Sequence, residues 1–297
     1  MSAASARRSG RVPTETWMLL PSIVVLAIIS LYPFFYMIWM SFMRFSMLPG
    51  QPSTFIGFGN WLRMLSDPGV GVSWVVTIKY YIIALALQLT LGVGISLAIE
   101  RLGRGQGLIT TLIIAPMFLA PVLVGLLWRF LLHDSYGIFT YFLRQLGFLR
   151  GISVFGDLRT ALPAVIIMDT WEWTPLIALI TIAGLQALPQ DVYEAASIDG
   201  ATYWQRLVYI TFPMLKPVLV VALLIRTMDL VRFYDQIMIT TSGGPADATK
   251  ILAIRIFEQG FRQFNIGYAS ALGLTLLVVS IILGNFFVKF FSMEDKG

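Results

Sequence analysis

The sequence has no cysteine, which excludes a disulfide framework, a thiolate nucleophile and any zinc site built on sulfur. A single histidine, His133, excludes the two-histidine zinc motifs and reads as a loop residue near a membrane interface. There is no Gly-x-x-x-x-Gly-Lys-Ser/Thr phosphate loop, so if ATP drives this protein another chain must bind it. No metal-ligand set or nucleophile–base pair is visible, which argues against an enzyme, and no internal repeat or low-complexity block appears. Charge is scarce too: only 12% of the 297 residues are Asp, Glu, Lys or Arg.

What fills the chain instead is apolar. Hydrophobic residues make up 57% of it and the mean hydropathy is +0.79, above the range of soluble domains. Several windows run for about 20 residues almost without charge, the length that crosses a hydrocarbon core. The reading is an all-α, polytopic membrane protein of about six spans: Trp17–Phe42, Trp74–Ile99, Leu108–Leu132, Ala161–Gly184, Pro217–Ile239 and Ile266–Phe290. A single transmembrane domain, 17–291, carries short tails at 1–16 and 292–297 and a longer loop at 185–216. The net charge of +5 does not indicate nucleic acid, because the basic residues lie at the ends of apolar runs, where they meet membrane lipid.

Arg7, Arg8 and Arg11 precede the first apolar run, but that run is too long for a secretory signal and no small-x-small site closes it; it reads as an uncleaved span. Lys and Arg divide evenly between the two sides, so the positive-inside rule does not orient the chain. The dense Arg7, Arg8, Arg11 cluster and the Arg101, Arg104 turn favour a cytoplasmic N-terminus, and an even number of spans puts the C-terminus beside it. Pro33, Pro116, Pro121 and Pro175 fall inside spans, each removing a backbone donor and bending its helix. In LGVGIS, Gly92 and Ser96 are small enough for close helix packing.

The stretch EAASIDGATYWQRLVYITFP, Glu194 to Pro213, departs from this pattern. Pro189, Asp191 and Glu194 open a short helix over 190–197 that Gly200 stops. A second short helix, 202–212, has Tyr203, Leu207 and Ile210 on one stripe, with Trp204 and Val208 beside it, and lies in the interface before Pro213 turns the chain into span five. Ala195 and Ala196 give the first helix a smooth surface suited to a partner's groove. From physics alone, an elbow that only joins two spans fits equally well.

Glu194, Ala195, Ala196, then Gly200, then Ile210, Phe212 and Pro213 reproduce the signature loop of membrane subunits in binding-protein-dependent ABC importers, with Phe212 in place of a leucine. LYPFFYMIWMSF, FIGFGNW, AGLQALPQDVYEAASIDGA, TTSGGPADAT and GYASAL extend the resemblance over most of the chain. Together they resemble the carbohydrate-type permeases, and in particular the maltose-transporter membrane subunit that carries a Gly-Gly-Pro loop. The resemblance implies that the loop is a cytoplasmic coupling helix, with Glu194, Ala195, Ala196, Asp199, Gly200, Ile210 and Pro213 docking on an ATPase. It also implies the partners: two ATP-binding subunits that hold ATP and Mg, a second permease and an extracytoplasmic solute-binding protein. No cofactor is expected in this chain.

Ionisable groups within spans need a partner, water or a function, because each costs roughly 2.5 to 3.5 kcal/mol at the bilayer centre on insertion scales. Span four carries Asp169, Glu172 and Trp173, and span five carries Arg226, Asp229, Arg232, Phe233 and Asp235. Glu172 and Arg226 to Asp229 fall at one depth, and Arg226, Asp229 and Phe233 share a helix face. One account is structural pairing, Arg226 with Asp169 or Glu172. The other is a solute site, where charged groups take sugar hydroxyls and an aromatic ring covers a pyranose face. Alignment on Trp171 to Pro175 and on Gly243, Gly244, Pro245 carries the resembled family's sugar site onto Asp169, Glu172, Trp173, Leu176, Arg226, Asp229, Leu230 and Phe233. Residue types differ there at most positions, so the site carries over without naming the sugar. Arg232 and Asp235 suit a gate or subunit-interface pair, and Trp128 with Arg129 an interfacial belt.

The leading expectation is thus a non-catalytic importer permease for a sugar or polyol. A phosphorylated polyol such as glycerol 3-phosphate, drawn to Arg226, is the alternative. An ion-coupled secondary transporter with Asp229 or Glu172 as proton carrier is a further one.

Overall fold

The computed structural model describes residues 14–102, 104–148 and 151–292, so Arg7, Arg8, Arg11 and the tail at 293–297 lie outside the described residues. Helix α1, Thr14–Ser41, is the first span, with Pro21 and Pro33 inside it. A two-residue antiparallel pair, β1 (Met43–Arg44) and β2 (Thr54–Phe55), leads into the short helix α2, Gly59–Ser66. The second span, α3 (Pro68–Glu100), starts before Trp74, the expected first residue. Asp67 caps it by accepting from the Gly69 amide and Pro68 fills its first turn, a start signal that hydropathy does not register.

The expected third span, Leu108–Leu132, is not one straight helix. It is α4, Gln106–Ile114, continued by a 3₁₀ turn at Ala115–Phe118, then α5, Pro121–Leu131, bent by 97° at the break. Pro116 cannot continue the α ladder and Pro121 can only begin a new one, so the two prolines flank a corner rather than a mild bend. After α6, Ile138–Gln145, the fourth span α7 (Ala161–Gln186) runs through Pro175, and α8, Gln190–Ile198, forms the elbow.

The elbow's second helix is not separate from span five. Here α9, Tyr203–Arg206, passes through a π-helical stretch, Leu207–Thr211, into α10, Phe212–Val231. Pro213 therefore does not turn the chain. The wider π register, in which Phe212 N–H bonds Leu207 O, lets a proline follow without breaking the helix. The Phe233 and Tyr234 corner leads to α11, Asp235–Thr240, then the Gly-Gly-Pro loop, α12 (Leu252–Phe257), a π turn at Glu258–Arg262 and the last span α13, Ile266–Ser292. Five described helices are long and apolar enough to cross a membrane, or six when the bent pair counts as one.

The centre is α3 against α7. Gly92 makes this possible, because a Cβ there would lie 2.8 Å from Ile177, and Ser96 Oγ donates to Ala178 O at 2.9 Å. Around that seam Tyr80, Ala84, Val124, Val165, Met168 and Leu230 form the main buried cluster. Apolar side chains on the outer faces are exposed, as lipid-facing positions require.

Candidate functional site

Two regions carry the expected functional residues, and one continuous helix joins them. At one end of the spans, α8 buries none of its residues against this chain. Gly200 adopts φ +76°, a left-handed stop, with the Ala201 amide donating to Ala196 O at 2.9 Å and the Asp199 amide to Ala195 O at 3.0 Å. Glu194 and Ala195 are exposed and Ala196 half-buried, while Ile198 is 87% exposed. Thr202 and Gln205 form a reciprocal capping box at the start of α9. Tyr193 Oη and Thr211 Oγ1 meet at 2.8 Å, Arg206 Nη1 donates to Ser197 Oγ at 3.0 Å, and the Arg101 guanidinium lies 3.8 Å over the Tyr203 ring. Leu207 is buried, Ile210 half-buried and Pro213 exposed. The elbow is thus fastened to the base of span five and offers its other side outward.

The second region is buried in the spans. Arg226, 1% exposed, donates from Nη2 to both carboxylate oxygens of fully buried Asp169, at 3.0 and 3.1 Å, and from Nη1 to Asp229 at 3.2 Å. Gln88 of α3 closes the triangle: its Nε2 donates to Asp169 at 2.7 Å, and its Oε1 accepts from Arg226 Nε at 2.8 Å. Trp173 lies 5.0 Å from the guanidinium, face to cation. Asp229 also accepts from Arg232 at 3.3 Å and is one-third exposed, so the four groups balance in charge and one edge stays open.

Glu172 does not pair with Arg226. It lies 0% exposed and accepts from Gln236 Nε2 of α11, while its own Oε1 and Gln236 Oε1 have no hydrogen-bond partner. Phe233 stacks on Tyr80 at 5.0 Å, Leu176 is half-buried, and Leu230 sits in the core at 0% exposed. Asp169, Arg226 and Asp229 are therefore brought together, while Glu172 is held apart with Gln236. Asp235 is exposed and joins no ion pair among the described residues. The Trp128 ring packs edge-on against Phe139 and Trp171, and Arg129 donates to Ile239 O at 3.1 Å. His133 stacks on Tyr136, as a loop residue does.

Gln88 and Gln236 escaped the sequence reading because neither is charged. A lone amide in an apolar span was the available signal, since it must find a partner there. A further network, at the end opposite α8, also went unseen. Arg255 Nε donates to Ser73 Oγ at 2.7 Å and its Nη2 to Asp247 at 3.0 Å, while Lys250 bridges Asp247 and Glu258 at 2.7 and 2.9 Å. Gly69 leaves room for that guanidinium: a Cβ would come within 2.6 Å of Arg255 Nη1. Burial would raise Asp247, but the Lys250 hydrogen bond and charge, with Arg255, hold its carboxyl below the ordinary value. Burial opposes charge on Lys250 too, yet Asp247 and Glu258 push its ammonium up.

Residues 90–292 match the family model of the binding-protein-dependent transport system inner membrane component. The chain is 34% identical over 268 residues to the trehalose/maltose transport system permease protein MalF of Thermococcus litoralis, covering 90% of each. It is 33% identical to the sn-glycerol-3-phosphate transport system permease protein UgpA of Brucella abortus, covering 92% of this chain and 93% of that one. Among solved structures, a bacterial ABC transporter involved in the import of the acidic polysaccharide alginate shares the fold, with a TM-score of 0.81 at 22% identity over 93% of this chain and 94% of that chain. The motif of Glu194 to Pro213, the helical fold and the family match converge: this chain belongs to the inner membrane components of binding-protein-dependent transport systems.

Proposed function

We propose that this chain is the permease subunit of an ABC importer, passing a sugar or polyol across the membrane while partner subunits hold and hydrolyse ATP with Mg. The observation that carries the reading is α8, a helix with no residue buried in its own chain, closed by Gly200 and fastened to the foot of α10. Such a helix is built to be pushed. The partners follow from that role: two ATP-binding subunits on the elbow, a second, different permease beside this one, and an extracytoplasmic binding protein at the far end. The elbow then faces the cytoplasm, and both termini lie on its side.

A sugar or polyol suits the central cluster better than a phosphorylated solute. Arg226 is already matched by Asp169 and Asp229, so it offers no unbalanced positive charge to a phosphate, whereas Asp229 and Trp173 suit hydroxyls and a pyranose face. UgpA of Brucella abortus keeps the phosphorylated alternative in the test panel. Co-expression with the ATP-binding subunits, followed by uptake and ATPase assays in vesicles, decides the coupling role. Glu194→Lys and Gly200→Asp are expected to leave the complex assembled but to abolish solute-dependent uptake; unchanged uptake in both overturns the assignment. A thermal-shift screen of the cognate binding protein against sugars, polyols and glycerol 3-phosphate identifies the solute.

A further inference from the structure

At the end of the spans opposite α8 lies a polar cavity of about 600 Å³ that shares no lining residue with the Arg226 cluster or the elbow. Arg44, Gln51, Asn60, Arg63, Gln263 and Asn265 line it, and no acidic residue does. Neither arginine joins an ion pair among the described residues. The Arg63 guanidinium rests 4.1 Å over the Tyr268 ring, whose hydroxyl donates to Asp67, so neither arginine has a carboxylate in direct contact and both guanidiniums are exposed toward the cavity.

The walls are fixed. The Met47 amide donates to Phe264 O at 3.0 Å and the Gly267 amide to Phe45 O at 3.2 Å. Asn60 Nδ2 donates to Ser41 O and Met43 O, both at 2.9 Å, and a Cβ on Gly267 would run into Met43 O. The cavity is therefore a preformed concavity rather than a gap between loose loops.

The helix that supplies Arg63 also presents an apolar strip. Phe58, Leu62 and Leu65, spaced four and three residues apart, are 66%, 66% and 80% exposed. Meanwhile Asn60 and Met64 of the same helix are buried against the protein. A short helix at the end of membrane spans, apolar on one exposed strip and basic beside it, lies in the interface with the strip in hydrocarbon and the cation at headgroup level. Two guanidiniums outside any ion pair at that depth match a phosphodiester, which they can bind through paired N–H donors. A zwitterionic headgroup would bring its own cation beside them, so a net negative lipid fits better. An acidic loop of a soluble partner satisfies the arginines but leaves Phe58, Leu62 and Leu65 without a role.

We infer that Arg44 and Arg63 hold the phosphate of an anionic phospholipid in the leaflet opposite α8, with its acyl chains against Phe58, Leu62 and Leu65. The site is independent of the transported solute and bears only on how the complex sits in its membrane.

The test uses the assembled complex in nanodiscs of mixed phosphatidylglycerol and phosphatidylcholine, with retained lipid read by native mass spectrometry. Wild type is expected to retain phosphatidylglycerol preferentially, and Arg44→Gln to lower that preference about fivefold, with a similar further loss on adding Arg63→Gln. Arg44 makes no ion pair among the described residues, so its single variant keeps the test readable if loss of the Tyr268 contact disturbs folding. Unchanged lipid preference in both variants overturns the inference. So does displacement of the retained lipid by millimolar inorganic phosphate, which assigns the cavity to a free anion. Retention of lipid with loss of binding-protein docking assigns it to that protein's carboxylates and overturns the lipid as well.

Discussion

Arg226 and its neighbours show why residue type matters less than the company a residue keeps. Asp169 is buried and takes two hydrogen bonds from Arg226 and one from Gln88, whereas Asp229 accepts from both Arg226 and the exposed Arg232 and keeps an open edge. Removing one partner of a buried ion pair leaves the other uncompensated, at a cost of about 3 to 5 kcal/mol. Asp169→Ala is therefore expected to lower the melting temperature of the complex or prevent its assembly, while Asp229→Ala assembles normally and loses uptake. Equal melting temperatures with equal loss of uptake would assign both acids to the solute. The charged members of this cluster were legible as charges in apolar runs, and their shared depth came from counting along the spans. The Arg226–Asp169 pair was one of the two pairings the sequence offered; what it could not decide was Asp169 over Glu172, because Gln88 on α3 joins that pair, and nothing in a lone amide says which helix it meets. Glu172 illustrates the same limit: its partner is Gln236, across the α10 to α11 corner that hydropathy cannot draw.

Long helices were readable because hydrophobic length against a bilayer of fixed thickness is a strong constraint. Corners were not. Pro116 and Pro121 announced a bend, but the angle of 97° depends on what α4 and α5 pack against. Pro213 announced a turn into span five that the π stretch cancels. Helix packing was legible where small residues mark it, and Gly92 gives a sharp test at this scale. Gly92→Leu would drive a side chain into Ile177 and is expected to destabilise the complex by about 1 to 3 kcal/mol, read as a lowered melting temperature. Gly94→Leu, two residues on and facing open space, should leave it near wild type; equal effects would remove the α3 to α7 seam from the explanation.

The loop after α11 carries its own pH signature. Asp247 has a depressed carboxyl pKa, so its contribution is present above the unfolded value and lost as pH falls through the folded one. Lys250 has a raised pKa, so its contribution is present below the unfolded value and lost only as pH rises through the folded one. The tether should therefore hold from about pH 5 to pH 9 and weaken below about pH 4. Hydrogen-exchange protection of the 243–250 amides in the complex, taken relative to the intrinsic base-catalysed rate at each pH and followed across that range, checks it; protection that falls near neutral pH would show that the pair does not hold the loop.

For the whole molecule, the consequence of the π stretch is mechanical. Because α9, the π turn and α10 are continuous, the elbow and Arg226 ride on one helix, with Tyr203 and Arg226 about 35 Å apart at 1.5 Å per residue. Tyr193 and Arg206 pin α8 to the foot of that helix, so a push on α8 tilts the same element that carries Asp229. Stiffness is then the transmitted quantity, and it can be removed without touching either end. Val208 and Tyr209 are exposed, so replacing both by glycine removes no core packing, and costs about 0.5 kcal/mol each in helix propensity. The doubly substituted complex is expected to assemble and to hydrolyse ATP, but to lose most of the solute-driven stimulation of that hydrolysis. If stimulation survives intact, the signal passes from α8 to the spans by another route, and α7, which enters the elbow from the other side, becomes the element to soften next.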